Sequence, residues 1–410
     1  MEAHATTTAH QRARAILPAV RAQARETDDS AQFPEEAVGL LRENGLMGLL
    51  VPEEYGGMGG DLGDLVAVAG LLASGCTSTA MIWAMHCQQV DCIVRFGSAR
   101  LRDELLPRVA AGQVYLASVT TEPGKGGQLL NGHAAVDRDA ERLRLQREAP
   151  IVTGGAHAEG FLVTMRDSPD AAEHRVTLCY ADRRQLSLTP SGTWNTLGMR
   201  GTESTGMELT GSLPSWQVVG EPGHFRTVAV ESMIPVGHLS WSAVWLGTAR
   251  SALSGVLSLV RSQGAAHRTD LAAERLARAR IDIDLVAAYL GVVRDEILAH
   301  RRENRSLNGA VPQMHLNNLK VVASELTFRA VDRLLQIAGL FSGYNRDSDV
   351  PLERNFRDLR SARLNVGNDR LLTMNGALAL LDRDVTVLPA GLLPDTGLSA
   401  WTLSGGQHHA

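Results

Sequence analysis

The stretch Gly112-Gln-Val-Tyr-Leu-Ala-Ser-Val-Thr-Thr-Glu-Pro-Gly124 marks the place where the sequence changes from one structural pattern to another. From Gln11 to Gly112 the chain is rich in Ala and Leu, and its apolar residues recur at helical spacing. Within the stretch, Tyr115 to Thr120 is a short apolar and β-branched run closed by Pro123, which is typical of a β-strand and the turn after it. The sequence therefore predicts a helical segment that changes to a β segment at residue 112.

Similar patterns divide the rest of the chain. Short strand-like runs separated by Gly, Asp, Ser and Pro continue to about Trp216, at residues 135–136, 143–145, 151–153, 161–165, 175–180 and 186–189. Helical periodicity returns near Phe225 and continues through residues 234–263, 271–301, 311–340 and 350–381. We predict an α+β fold with an N-terminal α-helical domain (1–112), a small central β domain (113–222), a C-terminal four-helix bundle (223–383) and an extended or disordered tail (384–410).

Composition excludes several classes of protein. The 410 residues are enough for two or three domains, and a hydrophobic content of 44% with a mean hydropathy of −0.07 is typical of a soluble globular chain. A net charge of −5 gives no broad cationic surface for nucleic acid. We find no signal-peptide pattern and no apolar window long enough to span a bilayer, so we predict a cytoplasmic protein without a membrane partner. The four cysteines form no Cys-x-x-Cys pair, so neither a disulfide nor a metal site is predicted.

Five stretches, taken in order, resemble the acyl-CoA dehydrogenase superfamily of flavoproteins. They are Gly45–Gly59 (GLMGLLVPEEYGGMG), Phe96–Pro107 (FGSARLRDELLP), Thr121–Pro123 (TEP), Leu197–Thr202 (LGMRGT) and Gln336–Tyr344 (QIAGLFSGY). Each stretch is short, but their shared order within residues 11–381 is specific. The resemblance implies the fold predicted above, a bound FAD with FMN as the alternative, an acyl thioester substrate, and a homodimer or homotetramer.

The resemblance also assigns flavin contacts in the β domain. Thr120 and Thr121 follow a predicted strand and correspond to a loop whose N–H and hydroxyl groups meet the polar edge of the isoalloxazine ring. Thr153 corresponds to a threonine that contacts the flavin from a second strand, although Ile151 replaces the usual aromatic neighbour. Judged from the residues alone, the loop that ends at Pro123 also fits a plain strand-to-turn junction.

Other flavin contacts are assigned to the C-terminal bundle. Gln336 and Gly339 correspond to a segment that reaches the FAD of a neighbouring subunit, and Asn368 is assigned to the cofactor as well. Judged from the residues alone, the sequence at 336–339 also fits a buried helix end that is capped by glycine. Gln263 and Ala266 stand where the family has an Arg and a Phe that contact FAD, so the adenosine side of the site has diverged.

Dehydrogenation of an acyl thioester needs a carboxylate that takes the α-proton while flavin accepts the β-hydride. The resemblance places that carboxylate eight residues after Asp358, at Val366, or in a few relatives at Gly237. Neither residue is a base, so the sequence indicates a divergent member that lacks the usual catalytic Glu. We interpret Asp369 as the candidate base because it lies three residues past Val366 and shares its face if the stretch is helical. The poorer candidates are Glu231 and Asp358.

Four residues are assigned to a substrate pocket. His86 lies in an apolar helical run, Trp241 and Trp245 share one helix face, and Gly127 stands where the resemblance implies a serine near the thioester. His238, close to Trp241, is a fifth residue that faces a pocket under the same interpretation. For the histidines and tryptophans, packing in the core is the alternative.

Three functions are compatible with these features. The first is a FAD-dependent oxidoreductase acting on the CH–CH group of an acyl thioester carried on CoA or on a carrier protein. The second is a flavin-dependent monooxygenase of the same fold, which uses reduced flavin and O₂ and needs no α-proton base. The third is a catalytically inactive family member.

Overall fold

The computed structural model describes residues 8–124, 128–139, 141–262 and 269–382. The N-terminal region of these residues is helical, with α1 (Ala9–Ser30), α2 (Glu35–Glu43), α3 (Leu62–Ala73), α4 (Thr77–Phe96) and α5 (Ala99–Ala110). Helix α2 begins after Pro34 and is followed by Gly45 in the left-handed conformation (φ 69°), where glycine carries no steric cost. Helix α4 is buried along almost its whole length, and it forms the centre of this region.

Within the described residues, eight strands form two four-stranded sheets. They are β1 (Leu116–Val119), β2 (Asp137–Arg138), β3 (Arg142–Ala149), β4 (Gly160–Arg166), β5 (Val176–Asp182), β6 (Leu186–Ser191), β7 (Gly206–Pro214) and β8 (Val218–Val219). One sheet has the order β1-β4-β5-β8 and the other β2-β3-β7-β6, and β1 pairs with β4 in parallel. Side chains of β3 alternate between exposed and buried, so one face of its sheet packs on the core.

The C-terminal region is helical again. It contains α6 (Phe225–Val228), a π-helical turn (Ala229–Met233), α7 (Ile234–Ser262), α8 (Asp270–Arg302), α9 (Ala310–Gly339), α10 (Leu352–Arg360) and α11 (Asn368–Ala379). Helix α9 contacts α7, α8 and α11 and is therefore the central helix of the bundle. The predicted fold class is confirmed, with a helical region, a small β region and a helical region in that order.

Two local predictions are wrong. Residues 151–153 form no strand, because β3 ends at Ala149 and Pro150 cannot extend its ladder of hydrogen bonds. Residues 350–381 form two helices, since Val366 is left-handed (φ 54°) and Gly367 caps α11. Strand β7 was not predicted. The predicted tail, 384–410, lies outside the described residues.

One helix is relevant to the prediction that the chain has no membrane-spanning segment. The continuous helix Phe225–Ser262 is long and apolar enough, by length and composition, to cross a bilayer. However, 56% of its most apolar window is buried inside the protein, and α7 packs against α3, α4 and α9. This burial is typical of a core helix, so the helix is weak evidence for a membrane span.

Candidate functional site

The loop after β1 lies next to the residues that follow β3. The Thr121 hydroxyl donates to the carbonyl of Ile151 at 3.0 Å, so the ends of the two strands are tied together. Thr120 and Thr121 are half-buried, whereas the apolar Ile151 is 47% exposed. The structure therefore brings three of the residues named in the sequence analysis to one edge of the β region, with hydrogen-bonding groups beside an exposed apolar side chain.

A buried ion pair between Glu122 and Arg147 holds this loop in place. Glu122 Oε1 lies 2.5 Å from Arg147 Nη1, and the Arg147 side chain is only 1% exposed. The Glu122 carboxylate also accepts the N–H groups of His133 and Ala134, and Arg147 donates to the carbonyl of Thr121 at 2.8 Å. Burial lowers the pKa of Arg147 to about 10, so the guanidinium is charged at neutral pH. In the sequence Glu122 stands out only as part of the Thr-Glu-Pro motif, and no local pattern indicates its contact with Arg147.

Thr153 is connected to the turn Leu197–Thr202. The Thr153 hydroxyl lies 3.0 Å from that of Ser204, which lies 2.9 Å from the Thr202 hydroxyl. Tyr115 donates its hydroxyl proton to the Thr153 carbonyl at 2.8 Å, which fixes the backbone there. Thr153 is thus held at the same edge as Thr121, although it does not lie in a strand as predicted.

The turn Leu197–Thr202 contacts α10, the helix that precedes Val366 and Asp369 in the chain. The Met199 N–H donates to the Asp358 carboxylate at 2.6 Å, and a Cβ at Gly198 would overlap the carbonyl of Arg357. Burial raises the pKa of Asp358 to about 6. Asp358 is therefore a buried acceptor that joins the β region to α10. Glu231, the other poor candidate base, accepts hydrogen bonds from the Ser306 hydroxyl and the Leu307 N–H.

Neither position that the resemblance gives for the catalytic carboxylate carries one. Val366 is 37% exposed and directly precedes the cap of α11. At Gly237 a Cβ would overlap the Gln88 amide, which is fixed by a 2.6 Å hydrogen bond to the Met233 carbonyl, and would come within 3.2 Å of Trp241. A Glu at residue 237 would therefore require Gln88 to move.

Asp369 is exposed in the first turn of α11. Because α11 begins only at Asn368 and Val366 is left-handed, the prediction that Asp369 lies one helical turn beyond Val366 on the same face is wrong. Its carboxylate makes no hydrogen bond or ion pair with any residue that the structure describes. Asp369 therefore differs from Asp358 and Glu231, whose oxygens are occupied.

A buried lysine lies behind this turn. Lys320, on α9, is fully buried and donates to the Val366 carbonyl and to Asn368 Oδ1, both at 2.7 Å. The Asn368 amide group donates to Ser324 and Glu325, so its polar atoms are engaged within the chain and its predicted flavin contact has no free group in this conformation. Burial lowers the pKa of Lys320 to about 7. The only signal for this residue in the sequence was that it is one of two lysines.

The predicted pocket residues lie in the core. His86 is fully buried, with Nε2 2.9 Å from the Met47 carbonyl and Nδ1 accepting the Leu116 N–H at 3.0 Å, so no ring nitrogen is free for a substrate. His238 uses Nδ1 to contact the Leu316 carbonyl at 3.1 Å. Trp241, 5.9 Å from the His238 ring between centroids, has a buried N–H without a partner in the described chain.

His86 makes stability depend on pH. Burial lowers its pKa to about 4, below the unfolded value of 6.5. Between these values the unfolded chain binds a proton that the folded chain does not, so stability falls as pH drops from 6.5 to 4, by about 3 kcal/mol in total. We expect His86→Gln to weaken the decrease in urea midpoint between pH 7 and pH 4.5. The control His10→Gln, at an exposed position, should leave the decrease unchanged.

The remaining predicted contacts lie on the surface or outside the described residues. The exposed Gln336 donates to Asp332, four residues earlier in the same helix, at 3.0 Å. Gly339 is exposed and left-handed (φ 70°), and no atom lies within 4 Å of a Cβ placed there. The next residues, Leu340 and Phe341, are 81% and 85% exposed. The last three predicted or divergent positions, Gly127, Gln263 and Ala266, lie outside the described residues.

The edge formed by Thr120, Thr121 and Ile151 carries groups that a flavin ring could contact, whereas Thr153 beside it is buried with its hydroxyl bonded to Ser204. The hydroxyl and main-chain groups of the edge provide polar contacts, and the exposed Ile151 provides an apolar surface that a flat ring can cover. Among the residues that the structure describes, no group of three or more His, Cys, Asp or Glu is placed to hold a metal ion. The order of helical, β and helical regions around such an edge defines a flavin-dependent oxidoreductase.

Comparison with known proteins agrees with this class. Residues 7–113 match the family described as acyl-CoA dehydrogenase, N-terminal domain, and residues 239–369 match acyl-CoA dehydrogenase, C-terminal domain. An acyl-CoA dehydrogenase of Bacillus subtilis (strain 168) is 23% identical over 345 residues, which cover 83% of this chain and 88% of the relative. The chain belongs to the acyl-CoA dehydrogenase superfamily.

Two solved structures illustrate the range of proteins that share the fold. Butyryl-CoA dehydrogenase from Megasphaera elsdenii superposes with a TM-score of 0.79 at 20% identity, covering 93% of this chain and 100% of that structure. FMN-bound TdsC from Paenibacillus sp. A11-2, a dibenzothiophene monooxygenase, superposes with a TM-score of 0.82 at 19% identity, covering 93% and 98%. Both kinds of enzyme considered in the sequence analysis are therefore among its structural neighbours.

Proposed function

We propose that the protein oxidises the CH–CH group of an acyl thioester, with the acyl group carried on CoA or on a carrier protein. The reaction needs a base for the α-proton, and bound flavin would supply the acceptor for the β-hydride. The observation that carries the proposal is the exposed carboxylate of Asp369 beside the turn at Val366, which has no partner among the described residues. The acyl-CoA dehydrogenases that align along most of the chain also support this choice.

In this proposal the chain's own residues have separate tasks. Thr120, Thr121 and Thr153 bind the polar edge of FAD, or of FMN if the adenosine side is too weak. The buried pair Glu122–Arg147 holds their loop in place. Asp369 takes the α-proton. Trp241 and Trp245, which lie on α7, line a pocket for the acyl chain only if α7 moves so that the two side chains face the substrate.

Monooxygenation is the second candidate. It is favoured by one specific observation, the absence of a carboxylate at both Val366 and Gly237, together with the lack of room for one at Gly237. A monooxygenase does not need an α-proton base, so these substitutions would carry no cost for it. The similarity to TdsC is compatible with this candidate.

Anaerobic mixing of the flavin-loaded protein with a panel of acyl thioesters separates the candidates. A dehydrogenase bleaches the visible flavin band without oxygen. A monooxygenase shows no bleaching with thioesters, and it forms an oxygenated product when reduced flavin and O₂ are supplied. An inactive family member shows neither response.

We further propose that the protein is a cytoplasmic homodimer or homotetramer. The exposed apolar residues Leu340, Phe341 and Tyr344 directly follow Gln336–Gly339, so a second subunit that covers them would also bring this segment toward a neighbouring flavin. Phe341→Asp should shift the molar mass in light scattering to that of a monomer and weaken flavin binding. A parent protein that is monomeric and binds flavin fully would contradict the shared site.

A further inference from the structure

Lys320 is an unusual residue for the centre of a helical bundle. Its side chain is fully buried, and it has no ion pair with any residue in the described ranges. A buried amine is costly unless its hydrogen-bonding groups are satisfied. Here two acceptors lie at 2.7 Å, the Val366 carbonyl and Asn368 Oδ1, and the Trp245 ring lies 5.9 Å from Nζ. A neutral amine has two N–H donors, which matches the two acceptors.

The two acceptors belong to one turn. Val366 is a β-branched residue in the left-handed region (φ 54°), a conformation that persists only where the surroundings impose it. Its carbonyl is directed to Lys320, and Asn368 is fixed by both Lys320 and Ser324. Without the amine, the Val366 carbonyl would lose its partner, and the turn could relax to a less strained conformation with a different start for α11.

We propose that Lys320 is a positioning residue that fixes the turn Val366–Asn368 and thereby the place of the Asp369 carboxylate. This inference rests on the proposed function in one respect, the use of Asp369 as the base. Lys320 does not touch the substrate in this role. Its effect is transmitted through the main chain of Val366 and the side chain of Asn368 to the first turn of α11.

The test compares Lys320→Met with Asn375→Ala. Asn375 anchors the same helix to α9, through Asn317 and Asn318 at 2.8 Å each, but it lies two turns beyond the reacting carboxylate. We expect K320M to lower kcat for thioester-dependent flavin reduction about 10- to 100-fold with KM changed less than about threefold, because the base is misplaced while substrate binding remains. N375A should lower kcat less than about threefold even if its Tm falls as much.

One readout does not depend on turnover by the parent protein. Amide hydrogen exchange in residues 364–369 of the flavin-free protein should become faster in K320M, whereas in N375A faster exchange should be confined to residues beyond Leu371. If K320M does not fold, Lys320→Ala provides the second variant. Propylamine should fill the space left by the side chain and restore part of the rate in K320A, but it should not do so in K320M.

The outcomes separate the inference from the proposed function. A rate in K320M within threefold of the parent, unchanged exchange at the turn, or an equal loss in N375A overturns the positioning role. A parent protein that reduces no flavin with any thioester, combined with faster exchange at the turn in K320M, overturns the proposed function and supports the role of Lys320 in holding the turn.

Discussion

Replacing Asp369 by Asn should slow the anaerobic reduction of bound flavin by an acyl thioester by on the order of 10²-fold or more, with flavin affinity unchanged. The reason is that Asn cannot accept the α-proton, whereas it has the size of the carboxylate and keeps the start of α11 intact. The measurement is stopped-flow absorbance of the flavin band at saturating thioester. Asp349→Asn, an exposed acid in the loop before α10, is the matched control and should react at the parental rate.

The same variants distinguish the alternatives for the base. If D369N bleaches at the parental rate, Asp369 is not the base, although dehydrogenation itself would stand. Val366→Glu should then be tested, because it restores a carboxylate at the position given by the resemblance. In a monooxygenase, D369N should hardly change oxygen-dependent turnover, and V366E should create at most weak dehydrogenase activity.

Replacing Arg147 by Met should lower the free energy of unfolding by about 3–5 kcal/mol, because it removes the buried cation that lies 2.5 Å from the Glu122 carboxylate. The Thr120–Glu122 loop should loosen as a result, and the dissociation constant for FAD should rise. Urea unfolding measures the first effect, and isothermal titration with FAD measures the second. The two readouts together test whether the buried pair supports the proposed flavin edge.

Arg144→Met is the control for this experiment. Arg144 lies on the same strand, β3, but its ion pair with Asp137 is exposed, so the expected loss is below about 1 kcal/mol. Similar losses in R147M and R144M would show that the buried pair does not hold the loop. A large loss of stability in R147M with unchanged flavin affinity would show that the Thr120–Glu122 loop does not contribute to flavin binding.

Local patterns predicted much of the fold. Pro34 and Gly45 mark the ends of α2, and the apolar periodicity of residues 271–301 and 311–340 gives α8 and α9 almost to their terminal residues. Strand β7 was missed because Gly206, Gly211 and Pro214 lower its apparent strand propensity, yet it pairs with β3 along eight residues. Strand β7 pairs with β3, which is distant in the sequence, and such pairing leaves no pattern in the local sequence.

The site was harder to predict than the fold. Thr121 and Thr153 were placed at one edge by the resemblance, and the structure brings them together through Ile151 and Tyr115. The contacts of Arg147 and Lys320 join residues that are 26 and 46 positions apart, so no local spacing indicates them. The left-handed conformation of Val366 has no local sequence signal either, and because of it the predicted helical spacing between Val366 and Asp369 is wrong.

In the proposed reaction an acyl thioester reduces the bound flavin directly. This step is tested by titrating the flavin-loaded protein with acyl-CoA and acyl-carrier-protein thioesters in the absence of oxygen and following the visible flavin band. We expect bleaching with at least one thioester, together with formation of the α,β-unsaturated product. An unchanged flavin band with every thioester, accompanied by O₂ consumption and an oxygenated product when reduced flavin is supplied, would contradict it.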